Sequence, residues 1–265
     1  MDVLQRIIQI KKARVAEAIK AAPSEEVRAQ AFAMRANAKP HRFVEAVSNH
    51  DRVNIIAEIK RASPSKGVIR DVVDPAQIAQ RYEGGGASAI SVLTEADHFG
   101  GSLADLRATR LAVSLPLLRK DFIFEEYQVY ESAAAGADAI LLIVAALDNA
   151  ALLELRRVAE DQLGLDALVE VHTAREMQRA VDSGARFIGV NNRDLRTLSV
   201  SLQTSLELAR MAPDDAVRIS ESGIETSDDI RRLRLCGYRG FLVGESLMRA
   251  SDPERVLRDL IQNAG

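Results

Sequence analysis

A short glycine phrase that returns about every fifty residues limits the fold of this chain more than any other feature. Glycine, a small residue and then an apolar run occur at Gly86-Ala87-Ser88-Ala89-Ile90, Gly136-Ala137-Asp138-Ala139-Ile140, Gly184-Ala185-Arg186-Phe187-Ile188 and, more loosely, Gly237-Tyr238-Arg239-Gly240-Phe241. The glycines lie 50, 48 and 53 residues apart. That period is about twice the length of one βα unit, so each phrase opens an even-numbered strand. Four further strand candidates fall between them: Ile55 to Lys60, Pro116 to Lys120, Ala167 to Val171 and Val217 to Ser220. Eight βα units in the chain beyond residue 50 fit an α/β fold of the (βα)8 TIM-barrel class, for which about 200 to 250 residues is usual. A doubly wound open sheet is the alternative. Its nucleotide fingerprints are missing: Gly84-Gly85-Gly86 lacks the third glycine of G-x-G-x-x-G, and there is no G-x-x-x-x-G-K. These glycines read instead as helix C-termini followed by tight turns.

Ahead of the repeat lies a helical preamble. Val3, Leu4, Ile7, Ile8, Val15 and Ile19 recur at three- and four-residue spacing and predict an amphipathic helix that stops near Pro23. Ser24 is a candidate N-cap for a second helix carrying Val27, Phe32 and Met34, which Lys39-Pro40 breaks. The expected layout is a single domain, with residues 1–50 a helical extension packed on a barrel of residues 51–265.

Composition excludes several classes of function. With 35 Lys plus Arg against 38 Asp plus Glu there is no basic surplus to hold nucleic acid, and 4% aromatics without Trp leave no stacking platform. The longest uncharged apolar stretch, Ala139 to Leu147, is too short to cross a bilayer, and the first twenty residues carry charges throughout, unlike a secretory leader. A single cysteine, Cys236, suits a cytoplasmic location and rules out a Cys-based zinc site. His41, His50, His98 and His172 show no metal-ligand spacing and no convincing role, with His98 expected to be exposed.

In a barrel of this class the chemistry sits where strands end, and every odd strand ends in polar groups. They are Glu58 and Lys60, Arg119 to Asp121, Glu170 and His172, and Ser220 to Ser222. Alternation puts Glu58 and Lys60 on one face. A carboxylate within an apolar strand must be paired or solvated, and the lysines are its natural partners. Two lysines and two carboxylates at one mouth would tune one another for general acid–base work; a structural salt-bridge cluster is the plainer reading of any one of these ends. Ser222-Gly223 and Gly244-Glu245-Ser246 follow the last two strands, where barrels often hold phosphate through backbone amides. Glu245 is expected to offer its amide and turn its side chain away. Ser63 to Gly67 reads as a candidate lid beside Lys60, and Phe99 and Phe122 as walls for a ring.

At these residues the sequence resembles the indole-3-glycerol phosphate synthase family. The resemblance is carried by Ile56-Ala57-Glu58-Ile59-Lys60 with Ala62 to Gly67, Ser91-Val92-Leu93-Thr94, Leu118-Arg119-Lys120-Asp121-Phe122, Leu168-Val169-Glu170-Val171-His172, Ile188 to Leu195, Ser220-Glu221-Ser222-Gly223-Ile224 and Phe241 to Glu245. It implies a barrel lyase that needs neither metal nor organic cofactor. Its substrate would be the phosphosugar 1-(2-carboxyphenylamino)-1-deoxyribulose 5-phosphate, closed to indole-3-glycerol phosphate with loss of carbon dioxide and water in tryptophan biosynthesis. By the same resemblance Lys120 is the general acid, and Glu58 and Glu170 position the substrate and handle later protons. Lys60 and Arg193 are cationic contacts with Ser63 nearby, and Asn191 and Ser222 further polar ones. Glu221, Gly223, Gly244 and Glu245 fall in the binding set, and Phe99, Phe122 and Leu195 wall the aromatic pocket. Glu245 departs from the small polar residue of many relatives. The isomerase preceding this step is the runner-up, disfavoured because Cys236 lies at the wrong end; a non-catalytic phosphosugar-binding barrel is a third reading. The chain is expected to act as a monomer without nucleic-acid or membrane partners, its preamble capping its own barrel or a neighbour's.

Overall fold

The computed structural model describes residues 3–195 and 197–265. Eight parallel strands close into a barrel in sequence order: β1 (Asn54–Ile59), β2 (Ala89–Leu93), β3 (Leu117–Lys120), β4 (Ala139–Ile143), β5 (Asp166–Val171), β6 (Phe187–Asn191), β7 (Val217–Glu221) and β8 (Gly240–Val243), with β8 pairing back onto β1. The odd strands lie within a residue of where the sequence put them, and the even strands start three residues into their glycine phrases. The preamble forms α1 (Val3–Ala21), α2 (Ser24–Arg35) and a third helix the sequence reading did not separate, α3 (Arg42–Val47). The strands are joined by α4 (Pro75–Gly84), α5 (Leu103–Ala112), α6 (Glu126–Ala134), α7 (Asn149–Arg157), α8 (Ala174–Asp182), α9 (Gln203–Leu208) and α10 (Ser227–Leu235), and the chain ends in α11 (Glu245–Arg249) and α12 (Pro253–Ala264).

The fifty-residue repeat has a physical cause. Gly86, Gly136, Gly184 and Gly237 take φ of 90°, 89°, 82° and 87°. In each case the glycine N–H donates to the carbonyl three residues back and the following N–H to the carbonyl five residues before it, as in Gly86 to Glu83 and Ala87 to Tyr82. This is the Schellman ending, which needs a left-handed residue and so favours glycine. It stops α4, α6, α8 and α10, and the even strand starts three residues beyond the glycine.

Alternation along each strand splits the apolar residues into two cores. Ile55, Ala57, Ile90, Val92, Ile140, Val169 and Phe241 face the helices; Ile56, Leu118, Leu141, Leu168, Ile219 and Leu242 fill the barrel. Followed around the barrel, the strand registers set inward residues of alternate strands at one height. Ile56, Leu118, Leu168 and Ile219 make one such ring. One step up, the same four strands supply Glu58, Lys120, Glu170 and Glu221.

The preamble covers both ends. Phe43 and Val47 of α3 plug the floor, Phe43 against Phe187 at 5.9 Å between ring centres. Asp166 Oδ2 accepts the Phe43 and Val44 amides at 3.0 and 2.9 Å, holding the start of α3 under the barrel. At the other end Leu4 and Ile7 of α1 join the interior core, so the preamble caps its own barrel. One local expectation fails. Ser24 is the first residue of α2, its cap position is Pro23, and no side chain caps it. The buried face of α2 is Val27 and Ala31, whereas Phe32 and Met34 are exposed; Phe32 packs outward with Tyr130 and Arg28 instead.

Candidate active site

The ring above the apolar layer is entirely ionisable. Lys120 reaches across the barrel to Glu170 at 3.4 Å and makes a closer contact with Glu221, while Lys60 donates to Glu58 at 2.6 Å. Glu58, Glu170 and Glu221 are buried, and the two lysines face the open mouth. Three carboxylates against two ammonium groups leave an excess of one negative charge. Burial, helped by the charges of Glu170 and Glu58, pushes Glu221 up. Burial acts on Glu170 in the same sense, but Lys120, His172 and Asn191 outweigh it and hold Glu170 below the usual carboxylate range. Burial opposes the charge of Lys120, yet Glu221, Glu170 and Glu58 together raise its pKa above that of a free lysine. The site at rest therefore holds a fully protonated lysine beside an ionised Glu170.

Two glycines make room for these carboxylates. A Cβ on Gly244 would lie 2.5 Å from Glu58 Oε1, and one on Gly189 would overlap Glu221 Oε1. Gly244 thus serves the acidic ring as well as the loop in which the sequence placed it. Gly189, inward-facing in β6, was not singled out, because a clash with a side chain on the next strand, 32 residues on, leaves no local signal. Glu221 was taken only as a binding residue; its place as the closest partner of Lys120 follows from register, with Glu221 on β7 at the height of Lys120 on β3.

Above the ring lies a cavity of about 800 Å³. Phe99 and Phe122 flank it with ring centres 6.4 Å apart, joined by Leu195 and by Val3, Leu4 and Ile7 from α1. The α1 roof is tied down by Lys11 to Asp121 at 2.7 Å, a buried pair next to Lys120, and by Arg14 to Asp97 at 2.6 Å. Ser63, Asn191, Arg193, Ser222, Gly223, Gly244 and Glu245 also line the cavity, so the structure gathers every predicted site residue around one mouth, with Glu221 in the ring beneath.

The polar side of the mouth is built from the loops after β6, β7 and β8. Ser222 and Gly223 take φ of 65° and 75°, two left-handed residues in succession, the first strained for a residue with a Cβ. Asn192 holds the turn, its Nδ2 donating to the carbonyls of Glu221 and Ser222 at 3.0 and 3.1 Å. Arg193 Nη1 donates to Ser65 Oγ at 3.0 Å and to the Leu198 carbonyl at 3.1 Å. The segment expected as a lid is a formed hairpin, Ala62–Ser63 against Gly67–Val68. Glu245 directs its carboxylate along α11 to Arg249 at 3.1 Å, with Lys66 at 3.9 Å. His98 is half-buried beside Glu95 rather than exposed, because Glu95 accepts the loop amides and draws the turn inward. Among the described residues no group of three or more His, Cys, Asp or Glu is arranged to hold a metal ion, and no helix is long and apolar enough to cross a membrane.

A closed parallel barrel topped by a ring of lysines and carboxylates under an aromatic-walled cavity defines a (βα)8 barrel with its candidate site at the carboxyl ends of the strands. The indole-3-glycerol phosphate synthase family profile matches residues 4–260. Among its relatives, the indole-3-glycerol phosphate synthase of Carboxydothermus hydrogenoformans is 45% identical over 262 residues, covering 97% of this chain and 99% of that one. That of Kineococcus radiotolerans is 53% identical over 209 residues, covering 79% and 76%. The chain belongs to the indole-3-glycerol phosphate synthase family. Among solved structures, 3-hexulose-6-phosphate synthase from Salmonella typhimurium superposes with a TM-score of 0.64 at 12% identity, covering 80% of this chain and 98% of that one, a likeness of fold.

Proposed function

We propose that this mouth carries out the family's ring closure, a carbon–carbon lyase reaction of tryptophan biosynthesis, with Lys120 as the acid. The substrate, 1-(2-carboxyphenylamino)-1-deoxyribulose 5-phosphate, offers a phosphate, a carboxylate and an aryl ring. Gly223 and Gly244, with the Glu245 amide, receive the phosphate; Lys60, Arg193 and Ser63 meet the anionic groups. Phe99, Phe122 and Leu195 take the ring, and Asn191 and Ser222 add polar contacts.

The carboxylate-bearing ring carbon bonds to the ketone carbon, and Lys120 passes its proton to the ketone oxygen as that oxygen gains negative charge. A lysine held protonated by three carboxylates gives up its proton only to a strong base, which the developing alkoxide is. Breaking the ring–carboxylate bond then releases carbon dioxide, its electron pair restoring the aromatic ring. A second proton takes the new hydroxyl off as water. Loss of a proton from the carbon beside nitrogen completes the indole, with Glu170 and Glu58 handling these later transfers. The roof of α1 and the two phenylalanines keep water from the cationic intermediate.

The observation that carries this reading is Lys120 clasped between Glu170 and Glu221 at the floor of an aromatic-walled cavity. Because α1 lines that cavity, extension and barrel act as one domain, and roofing by the chain's own helix supports a monomer. A single half-buried thiol fits a cytoplasmic location. The test is indole fluorescence after mixing purified protein with the substrate in the presence of chelator. A rise supports the reading; binding by calorimetry without a rise would favour a binding protein.

A further inference from the structure

Directly after β5, His172 stands between two carboxylates. Its backbone N–H donates to Glu176 Oε2 at 2.7 Å, its Nδ1 lies 3.2 Å from the same oxygen, and its Nε2 lies 3.3 Å from Glu170 Oε1. The imidazole side chain is only 10% exposed and is not part of the cavity wall. Nε2 is sealed from solvent and makes no hydrogen bond. Glu176 is fixed in its turn: its own N–H donates to Thr173 Oγ1 at 3.2 Å, at the capped start of α8. A run of three ionisable groups thus leads from Glu170, in the cavity floor, through His172 to the first turn of α8.

We infer that His172 is a positioning residue for Glu170, holding that carboxylate ionised and in place through the chain Glu170–His172–Glu176. The inference rests on the reading that Glu170 transfers protons. Its use appears at the moment Lys120 gives its proton away. Glu170 then loses the positive neighbour on its cavity side, and a carboxylate buried beside Glu221 would pick up a proton. A cation behind it prevents that. The groups facing His172 are Glu170 from β5, Glu176 from α8 and Glu221 from β7, while Lys120 from β3 faces Glu170. Burial works against the charged imidazole, but Glu176, Glu170 and Glu221 raise it above the ordinary histidine value.

The test compares His172→Gln, Glu176→Gln and Glu170→Gln with the parent, measuring kcat and KM from about pH 5 to 9. His172→Gln should lower kcat by about ten- to a hundredfold while KM stays within about twofold, as misplacement of a reacting group does. Its acid limb should move to higher pH, because Glu170 without the cation needs a higher pH to ionise. Glu176→Gln should add a fall in rate through neutral pH, since His172 without its acidic partner loses its proton earlier. A merely structural histidine would lower stability and leave both limbs where they are. Parent-like kcat and an unmoved acid limb in folded His172→Gln overturn the inference; should that variant not fold, a Glu176→Gln profile superimposable on the parent does so. Full activity in Glu170→Gln would instead remove the underlying reading. An inactive Glu170→Gln beside an unaffected His172→Gln removes only the inference.

Discussion

The two ends of the barrel carry polar rings of similar burial and opposite purpose. At the floor, Asn54 donates from one amide nitrogen to the carbonyls of Val47, Asn49 and Arg239 at 3.1, 2.8 and 2.9 Å, and Asp166 accepts two α3 amides. Asp138, just before β4, accepts Arg35 at 3.3 Å, Arg110 at 3.0 Å and the Leu117 amide at 3.0 Å. There Asn54, Asp138 and Asp166 each have neutral or cationic partners supplied by the fold. At the mouth, three carboxylates share two lysines and Glu221 Oε1 has no hydrogen-bond partner at all. An unsatisfied buried carboxylate oxygen is costly, so its presence in this ring marks where stability has been given up for chemistry.

This contrast can be broken at either end. The largest effect is expected from Lys120→Met, which should remove turnover by about a thousandfold or more, the scale of a general acid, while thermal unfolding stays near the parent; near-normal indole fluorescence would end the assignment of Lys120. Next comes Gly189→Ala, whose methyl meets the Glu221 carboxylate and displaces Lys120 with it. Turnover should fall by about a hundredfold with substrate binding largely kept, as judged by calorimetry alongside kinetics. At the floor the signature reverses: Asp166→Ala should cost about 1–2 kcal/mol in urea unfolding, from loss of the α3 cap, with kcat unchanged. A drop in kcat there would show that the ends are not separable.

A further, pH-dependent effect concerns Glu160, which burial pushes up to about 7 despite Arg156 at 3.2 Å. A carboxyl whose folded pKa is raised stabilises the fold fully below its unfolded value, near 4.5, and that contribution is lost as pH rises through about 7. Glu160→Gln should therefore match the parent below pH 4.5 and melt progressively higher than it up to about pH 7. Parallel melting curves across that window would show the burial to be relieved in solution.

The fold was legible because its signals are local. A Schellman glycine announces itself within six residues, and four of them at even spacing count the strands. Lys120 and two of the acidic residues were legible for a similar reason, as charges that alternation forces inward at strand ends. What escaped depends on contacts between distant strands. Glu221 and Gly189 acquire their meaning only when β6 and β7 are laid against β3, and Phe32 and Met34 have apolar side chains that α2 turns outward. His172 looked idle because its partners, Glu170 and Glu176, lie on two different elements.

The seam where β8 meets β1 has a consequence for how the chain folds. Asn54 pairs with Gly240 and Ala57 with Val243, so the cylinder closes only after nearly the whole chain has been made. While that seam is open, the charges of Glu58, Lys120, Glu170 and Glu221 are accessible to solvent, where water and salt screen them. Their desolvation is deferred to the last long-range step, where loop closure already makes formation slow. Weakening that ring should therefore speed barrel closure in refolding, so that the ionisable ring acts as a brake on the chain's own assembly.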